Sequence, residues 1–189
     1  MKVIQLHQEE KQLIKLAVEN NRQAQQQIYA KFSSKMLSVC RQYIKDIHHA
    51  EDVMITGFMK VFTNLKNFEH KGSFEGWIRR IMVYECIDFL RVKKNNFNHQ
   101  DIEDVTISEN ESVYEMEDFS VDDIQNMIDN LPDGYKMVFN LYAIEGYKHQ
   151  EIAEMLKISE GTSKSQLSNA RKLLQQQISE LKKKLNGTK

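Results

Sequence analysis

The sequence predicts an all-α protein: two small helical domains joined by a flexible acidic linker. Three observations predict it. One proline and seven glycines in 189 residues leave few obligatory turns, which argues against a sandwich or barrel and for helices. Apolar residues recur every three or four positions through both ends of the chain, the spacing of amphipathic helices. Charge is segregated: residues 1–100 carry 16 basic and 10 acidic groups, residues 101–133 carry 12 acidic and no basic ones, and residues 147–189 carry 9 basic against 4 acidic. The formal net charge of −1 therefore conceals two basic lobes flanking an acidic strip, and local charge decides what a surface attracts.

Taken in order, residues 1–21 read as an N-terminal tail or the start of a first helix, and 22–94 as the first lobe. In 22–47, Ile28, Phe32, Met36, Cys40, Tyr43 and Ile47 form one apolar stripe. After a break at Asp46–His49, a helix over about 50–66 places Ala50, Val53, Met54, Gly57, Phe58, Val61 and Leu65 on one face. Phe68–Ser73 is a loop, with Gly72 permitting a turn and Ser73 available as an N-cap. The third helix, about 74–94, turns Ile78, Ile81, Met82, Cys86, Phe89 and Leu90 inward. Residues 95–120 are the linker, too polar to bury a core of their own. The second lobe, 121–185, holds helices near 121–130, 135–144, 148–156 and 160–185, with Leu131-Pro132-Asp133-Gly134 as punctuation; 186–189 is a C-terminal tail.

Several classes drop out. No apolar run approaches the roughly 20 residues of a membrane span, so no membrane insertion is expected. The start, MKVIQLHQEEKQ, turns polar too early for a signal peptide, and the cytoplasm is the expected compartment. Cys40 and Cys86 make no disulfide framework and fall on core faces. No Walker loop, GxGxxG, HExxH or GxSxG occurs. His48-His49 has no cysteine or carboxylate at ligand spacing, and Glu51-Asp52 are adjacent helix residues that point apart. The expectation is no enzyme, no catalytic residue, no metal and no cofactor.

Three stretches carry recognition chemistry. Residues 148–171, KHQEIAEMLKISEGTSKSQLSNAR, give a short helix with Ile152, Ala153 and Leu156, an intervening Lys157-Ile158-Ser159, and a second helix capped by Ser159. That is the pattern of a helix-turn-helix, whose second helix enters the DNA major groove. Its outward positions read as Ser163, Lys164, Ser165, Gln166, Ser168, Asn169 and Lys172, hydrogen-bonding groups suited to base edges; the bland alternative is a helical hairpin with a solvated polar face. In His70–Arg80, Phe74 and Trp77 stand beside Lys71, Arg79 and Arg80, the makeup of a platform for unpaired bases, although Phe74 and Trp77 at i and i+3 read equally well as core. On the 50–66 helix, Ile55, Met59 and Phe62 form a second apolar side next to Asp52, Lys60 and Thr63. Such a helix is either central in a bundle or docks a partner.

AEDVMITGFMKVFTNLKNF (50–68) with GSFEGWIRRIMVYECIDFLR (72–91) resembles region two of RNA polymerase sigma factors of the ECF (extracytoplasmic-function) group in the sigma-70 family. LPDGYKMVFNLYAIEGYKHQEIAEMLKISEGTSKSQLSNARKLLQ (131–175) resembles their region four. The resemblance implies a subunit that binds core RNA polymerase, directs it to promoters and melts the minus-ten element. It implies contact of Asp52, Ile55, Thr56 and Met59 with the β′ clamp helices, and of region four with the β flap. To the minus-ten element it assigns Lys71, Ser73, Phe74, Trp77, Arg79, Arg80 and Tyr84. To the minus-thirty-five element it assigns Lys148, Thr162, Lys164, Ser165, Ser168, Asn169 and Lys172. Promoter DNA and core polymerase are the implied partners, with an inhibitory anti-sigma factor as a further one. Ile55-Thr56 replaces the usual Gln-Glu or Gln-Asp pair, Tyr84 replaces a common Asn, and Gln166, Ser168 and Asn169 stand where Arg or aromatic groups are frequent. A ligand-responsive helix-turn-helix regulator is the alternative reading. On it, the acidic linker and the aromatic loop have no task. The −12 strip reads as a nucleic-acid mimic, drawn to a basic path in a partner or folding back over the basic lobes.

Overall fold

The computed structural model describes residues 2–96 and 119–186, and the chain divides into two compact units near residues 93 and 94. The first holds α1 (Lys2–Val18), α2 (Arg22–Tyr43), α3 (Ile47–Asn64), a 3-10 turn (Leu65–Asn67) and α4 (Phe74–Asn96). The second holds α5 (Val121–Asp129), α6 (Asp133–Phe139), a π-helical turn (Asn140–Ile144), α7 (His149–Leu156) and α8 (Glu160–Asn186). No strand occurs among the described residues.

Several helix starts, in both units, follow from short polar side chains that satisfy otherwise orphaned N–H groups. Asn21 Oδ1 accepts from Ala24 N at 3.0 Å, and Asp46 Oδ1 accepts from His49 N at 2.9 Å. Ser120 and Asp123 exchange hydrogen bonds in a capping box, the reciprocal arrangement that fixes a first turn. These exchanges hold the Asp46 and Asp123 carboxyls below the usual carboxylate range, through the His49 N–H and the Ser120 hydroxyl respectively.

The first core is built from the stripes read in the sequence. Ile28, Phe32, Met36 and Tyr43 of α2 are buried with Val61 of α3 and Ile78 and Met82 of α4. Gly57 lets α3 approach α4 closely, since a Cβ there would fall on the Met82 sulfur. The same crossing carries a nearly buried Glu85 paired with Lys60 at 2.5 Å. Residues 1–21 are more than a tail or helix start: α1 is a full helix that buries Ile14 and Ala17 and packs on α2 and the 3-10 turn. A Lys31–Glu10 ion pair at 2.7 Å adds to the α1–α2 contact. Cys40 and Cys86 are buried free thiols.

In the second unit α5, α6 and α7 all pack on α8. Leu131, Tyr135 and Ala170 form its buried cluster, with Phe139, Leu173 and Leu174 packed against it. The helix expected over 135–144 loosens after Phe139, where Glu145 N donates five residues back to Asn140 O at 3.0 Å. The acidic residues Asp101, Glu103, Asp104, Glu109 and Glu111, and with them most of the expected linker, lie outside the described residues.

Candidate functional site

The candidate side chains lie on α3, in the loop before α4 and along that helix, and on α7 and α8; α3 carries the most apolar of them. Ile55 is 49% and Met59 66% exposed, while Val53, Met54, Phe58 and Val61 fill the core side. Asp52 and Thr56 are exposed on the same helix, the Thr56 hydroxyl donating to Asp52 O at 2.9 Å. Phe62 is half-buried and stacks on Phe58. Of the two readings for a helix apolar on two sides, central or docking, the exposure of Ile55 and Met59 favours docking.

The loop before α4 is built on aromatic packing. Phe68 is buried, and its ring lies 4.8 Å from His70, 5.1 Å from Phe74 and 5.4 Å from Trp77. His70 (φ 56) and Gly72 (φ 89) both take left-handed backbone, turning the chain sharply so that Ser73 Oγ can accept from Gly76 N at 3.0 Å and start α4. Phe74 is only 2% exposed. Its ring meets Phe32 edge-on at 5.7 Å and stacks on Trp77 at 5.9 Å. Of the two readings open for Phe74, base platform or core, its burial favours core: its neighbours already occupy its faces. Trp77 is half-buried and leaves only part of its ring accessible. Lys71 is exposed and paired with Glu69 at 2.6 Å. Arg79 is half-buried; Arg80 is exposed and lies over the Tyr84 ring at 5.8 Å. Tyr84, 36% exposed, is the large aromatic that α4 turns to solvent.

The helix-turn-helix forms as its spacing predicts. Lys157 closes α7 in the left-handed region (φ 56), Ile158 tucks in half-buried, and Ser159 Oγ accepts from Thr162 N at 2.9 Å. Lys164, Ser165 and Ser168 are exposed on the outer face of α8, Asn169, Lys172 and Thr162 are half-buried, and Lys148 is exposed at the start of α7. Ser163, read as outward, is wholly buried and its Oγ lies 2.9 Å from His149 Nδ1. It ties α7 to α8 instead of facing DNA. Gln166 is half-buried beside Gly134. Two contacts escaped the sequence reading: Asn169 Nδ2 donates to Tyr135 Oη at 3.2 Å, and Lys164 pairs with Glu160 at 2.7 Å. The second was visible as an i, i+4 pair. Lys164 holds the Glu160 carboxyl below its usual range. No cluster of metal-binding side chains occurs among the described residues, and no helix among them is long and apolar enough to cross a membrane.

Comparison with known proteins agrees with this layout. The family model "Sigma-70 region 2" matches residues 28–96, and "Sigma-70, region 4" matches 121–174. The chain is similar to the ECF RNA polymerase sigma factor SigW of Bacillus subtilis, 29% identical over 79% of this chain and 86% of that protein. It is similar also to the ECF RNA polymerase sigma-E factor of Haemophilus influenzae, 23% identical over 89% of this chain and 95% of that one. Among solved structures, the sigma factor RpoE of Bartonella quintana, crystallised with the anti-sigma factor NepR, shares the fold with a TM-score of 0.53 at 20% identity, over 82% of this chain and 96% of that chain. Two family models in the expected order, together covering more than half of the sequence, decide the family: the chain belongs to the sigma-70 family of RNA polymerase sigma factors, in its ECF group.

Proposed function

We propose that this sigma factor binds core RNA polymerase through the outer face of α3, melts the minus-ten element at the loop and start of α4, and reads the minus-thirty-five element with α8. The coarse activity follows from the family: the chain directs RNA polymerase to promoters, with polymerase and promoter DNA as its partners. The match over residues 28–96 favours this over a ligand-responsive helix-turn-helix regulator, which accounts for the second unit alone.

The observation that carries the polymerase contact is the exposure of Ile55 and Met59 beside Asp52. Large apolar side chains left in water on a helix that already has a full core side mark a surface that a partner covers. The β′ clamp helices are the proposed partner there, and the β flap for the second unit. At the minus-ten element, Lys71 and Arg80 supply cations, Ser73 and Arg79 flank the start of α4, Tyr84 offers the exposed ring, and Trp77 a partial edge. At the minus-thirty-five element, Lys148, Lys164 and Lys172 face phosphates, and Thr162, Ser165, Ser168 and Asn169 supply polar groups toward the groove. An anti-sigma factor that covers the α3 face would compete with polymerase. The site of action is the cytoplasm, where core polymerase and promoters are found.

Core binding tests the reading directly. Ile55→Asp and Met59→Asp place charges where an apolar contact is proposed, at positions whose solvent exposure leaves folding intact. Affinity for purified core polymerase should fall tenfold or more, on the order of 1.4 kcal/mol or above for a central interface residue. Unchanged affinity in both variants would remove α3 from the interface.

A further inference from the structure

The Asn169 carboxamide on α8 is tied to a neighbouring helix. Its Nδ2 donates to Tyr135 Oη at 3.2 Å. Tyr135 belongs to the first turn of α6, and its ring is only 5% exposed, packed with Leu131 and Ala170. The hydroxyl is thus held by a buried ring and not by a flexible stem. One residue earlier, Gly134 leaves room for Gln166: a Cβ there would come within 3.2 Å of Gln166 Nε2. Gln166 and Asn169 are three apart and share a helix face, so the first turn of α6 backs two polar side chains of the recognition helix.

We propose that Tyr135 is a positioning residue for promoter recognition, which anchors the Asn169 carboxamide where it pairs with an adenine in the minus-thirty-five element. One N–H of Asn169 is spent on the Tyr135 hydroxyl. The other N–H and Oδ1 are left as a donor and an acceptor for a base. Adenine presents the complement in the major groove, N7 as acceptor and the N6 amine as donor, and a carboxamide meets both at once. The hydrogen bond from Asn169 Nδ2 to the Tyr135 hydroxyl anchors the carboxamide in place, and the ordering it provides before binding lowers the entropy lost on contact. The inference rests on the placement of α8 in the major groove.

The test uses holoenzyme assembled with the full chain and templates carrying each of the four bases at successive minus-thirty-five positions. The readout is the ratio of promoter binding with adenine to binding with the other bases. Asn169→Ala should abolish the preference at one position, a change of about fivefold or more. Tyr135→Phe keeps the buried ring and should lower the same ratio by about two- to tenfold, the range of one lost hydrogen bond. Binding to templates that lack the adenine, and the salt slope, should stay unchanged. In the Asn169→Ala background Tyr135→Phe should have no further effect on the ratio. A uniform loss on all four templates, or an unchanged ratio in Tyr135→Phe, overturns the proposal and leaves Tyr135 a core residue. An unchanged ratio in Asn169→Ala overturns it as well. Lys164→Ala decides the groove placement separately: weaker binding on every template, with a flatter salt slope, supports α8 on the promoter even where the Tyr135 proposal fails.

Discussion

Replacing Phe74 separates a packing role from a base-stacking role. The ring is 2% exposed and lies within 6 Å of Phe32, Phe68 and Trp77. Phe74→Ala removes a buried ring and leaves a cavity, at a cost of about 3–5 kcal/mol. A small domain holds only about 5–15 kcal/mol in total, so the first unit should lose a large part of its stability. Phe74→Leu fills much of the same volume and should cost on the order of 1.5 kcal/mol. Urea unfolding followed by circular dichroism reads both values, with the smaller shift in midpoint for Leu. The decisive readout is function: Phe74→Leu has no aromatic face, yet holoenzyme carrying it should open a duplex promoter nearly as well as the parent. A Phe74→Leu protein that folds normally, works on a pre-melted bubble and fails on duplex DNA would refute the packing assignment and return Phe74 to the melted strand.

Further outcomes follow from the same geometry. Lys157 sits at φ 56, where a non-glycine residue carries a penalty of about 1–2 kcal/mol; allowing for the entropy of glycine, Lys157→Gly should stabilise by about 0.5–1 kcal/mol, seen as a raised Tm. Glu160 competes with DNA for Lys164 at 2.7 Å, so Glu160→Gln should raise non-specific duplex affinity and steepen its salt dependence; an unchanged slope would mean that Lys164 touches no phosphate. The Asp46, Asp123 and Glu160 carboxyls are held below their ordinary values in the folded chain. Their contribution is therefore present above the unfolded carboxylate range, at about pH 4, and is lost as pH falls through the lower folded values. Asp123→Asn should flatten the acid limb of a Tm-against-pH curve. Lys71→Ala and Arg80→Ala should impair opening of duplex promoters more than use of a pre-melted bubble; two harmless substitutions would place melting elsewhere.

The helices of both units were legible because each buries one stripe, and a 3.6-residue period records that stripe whatever it packs on. The turn at Lys157–Ser159 was legible for a similar reason, since Ser159 caps locally. The rest depends on partners distant in sequence. Spacing placed Phe74 and Trp77 on one face but could not say that Phe32 and Phe68 cover it. Ser163 follows the polar pattern of its neighbours, and only His149, 14 residues away, turns it inward. In α1, Ile14 and Ala17 are buried among the residues whose burial is described, and it is packing on α2 and the 3-10 turn that makes this segment a helix of the unit. Tyr135 reads as an ordinary core aromatic until its hydroxyl is seen against Asn169, 34 residues on.

Transcription in vitro with purified core polymerase tests the central claim most directly. Core alone and core with the chain are given the same promoter library, and transcript starts are mapped. Transcripts that begin at fixed points, share a minus-ten and a minus-thirty-five element, and vanish when the chain is omitted or carries Met59→Asp are the predicted result. A chain that neither joins core polymerase nor changes where transcripts begin would contradict the account.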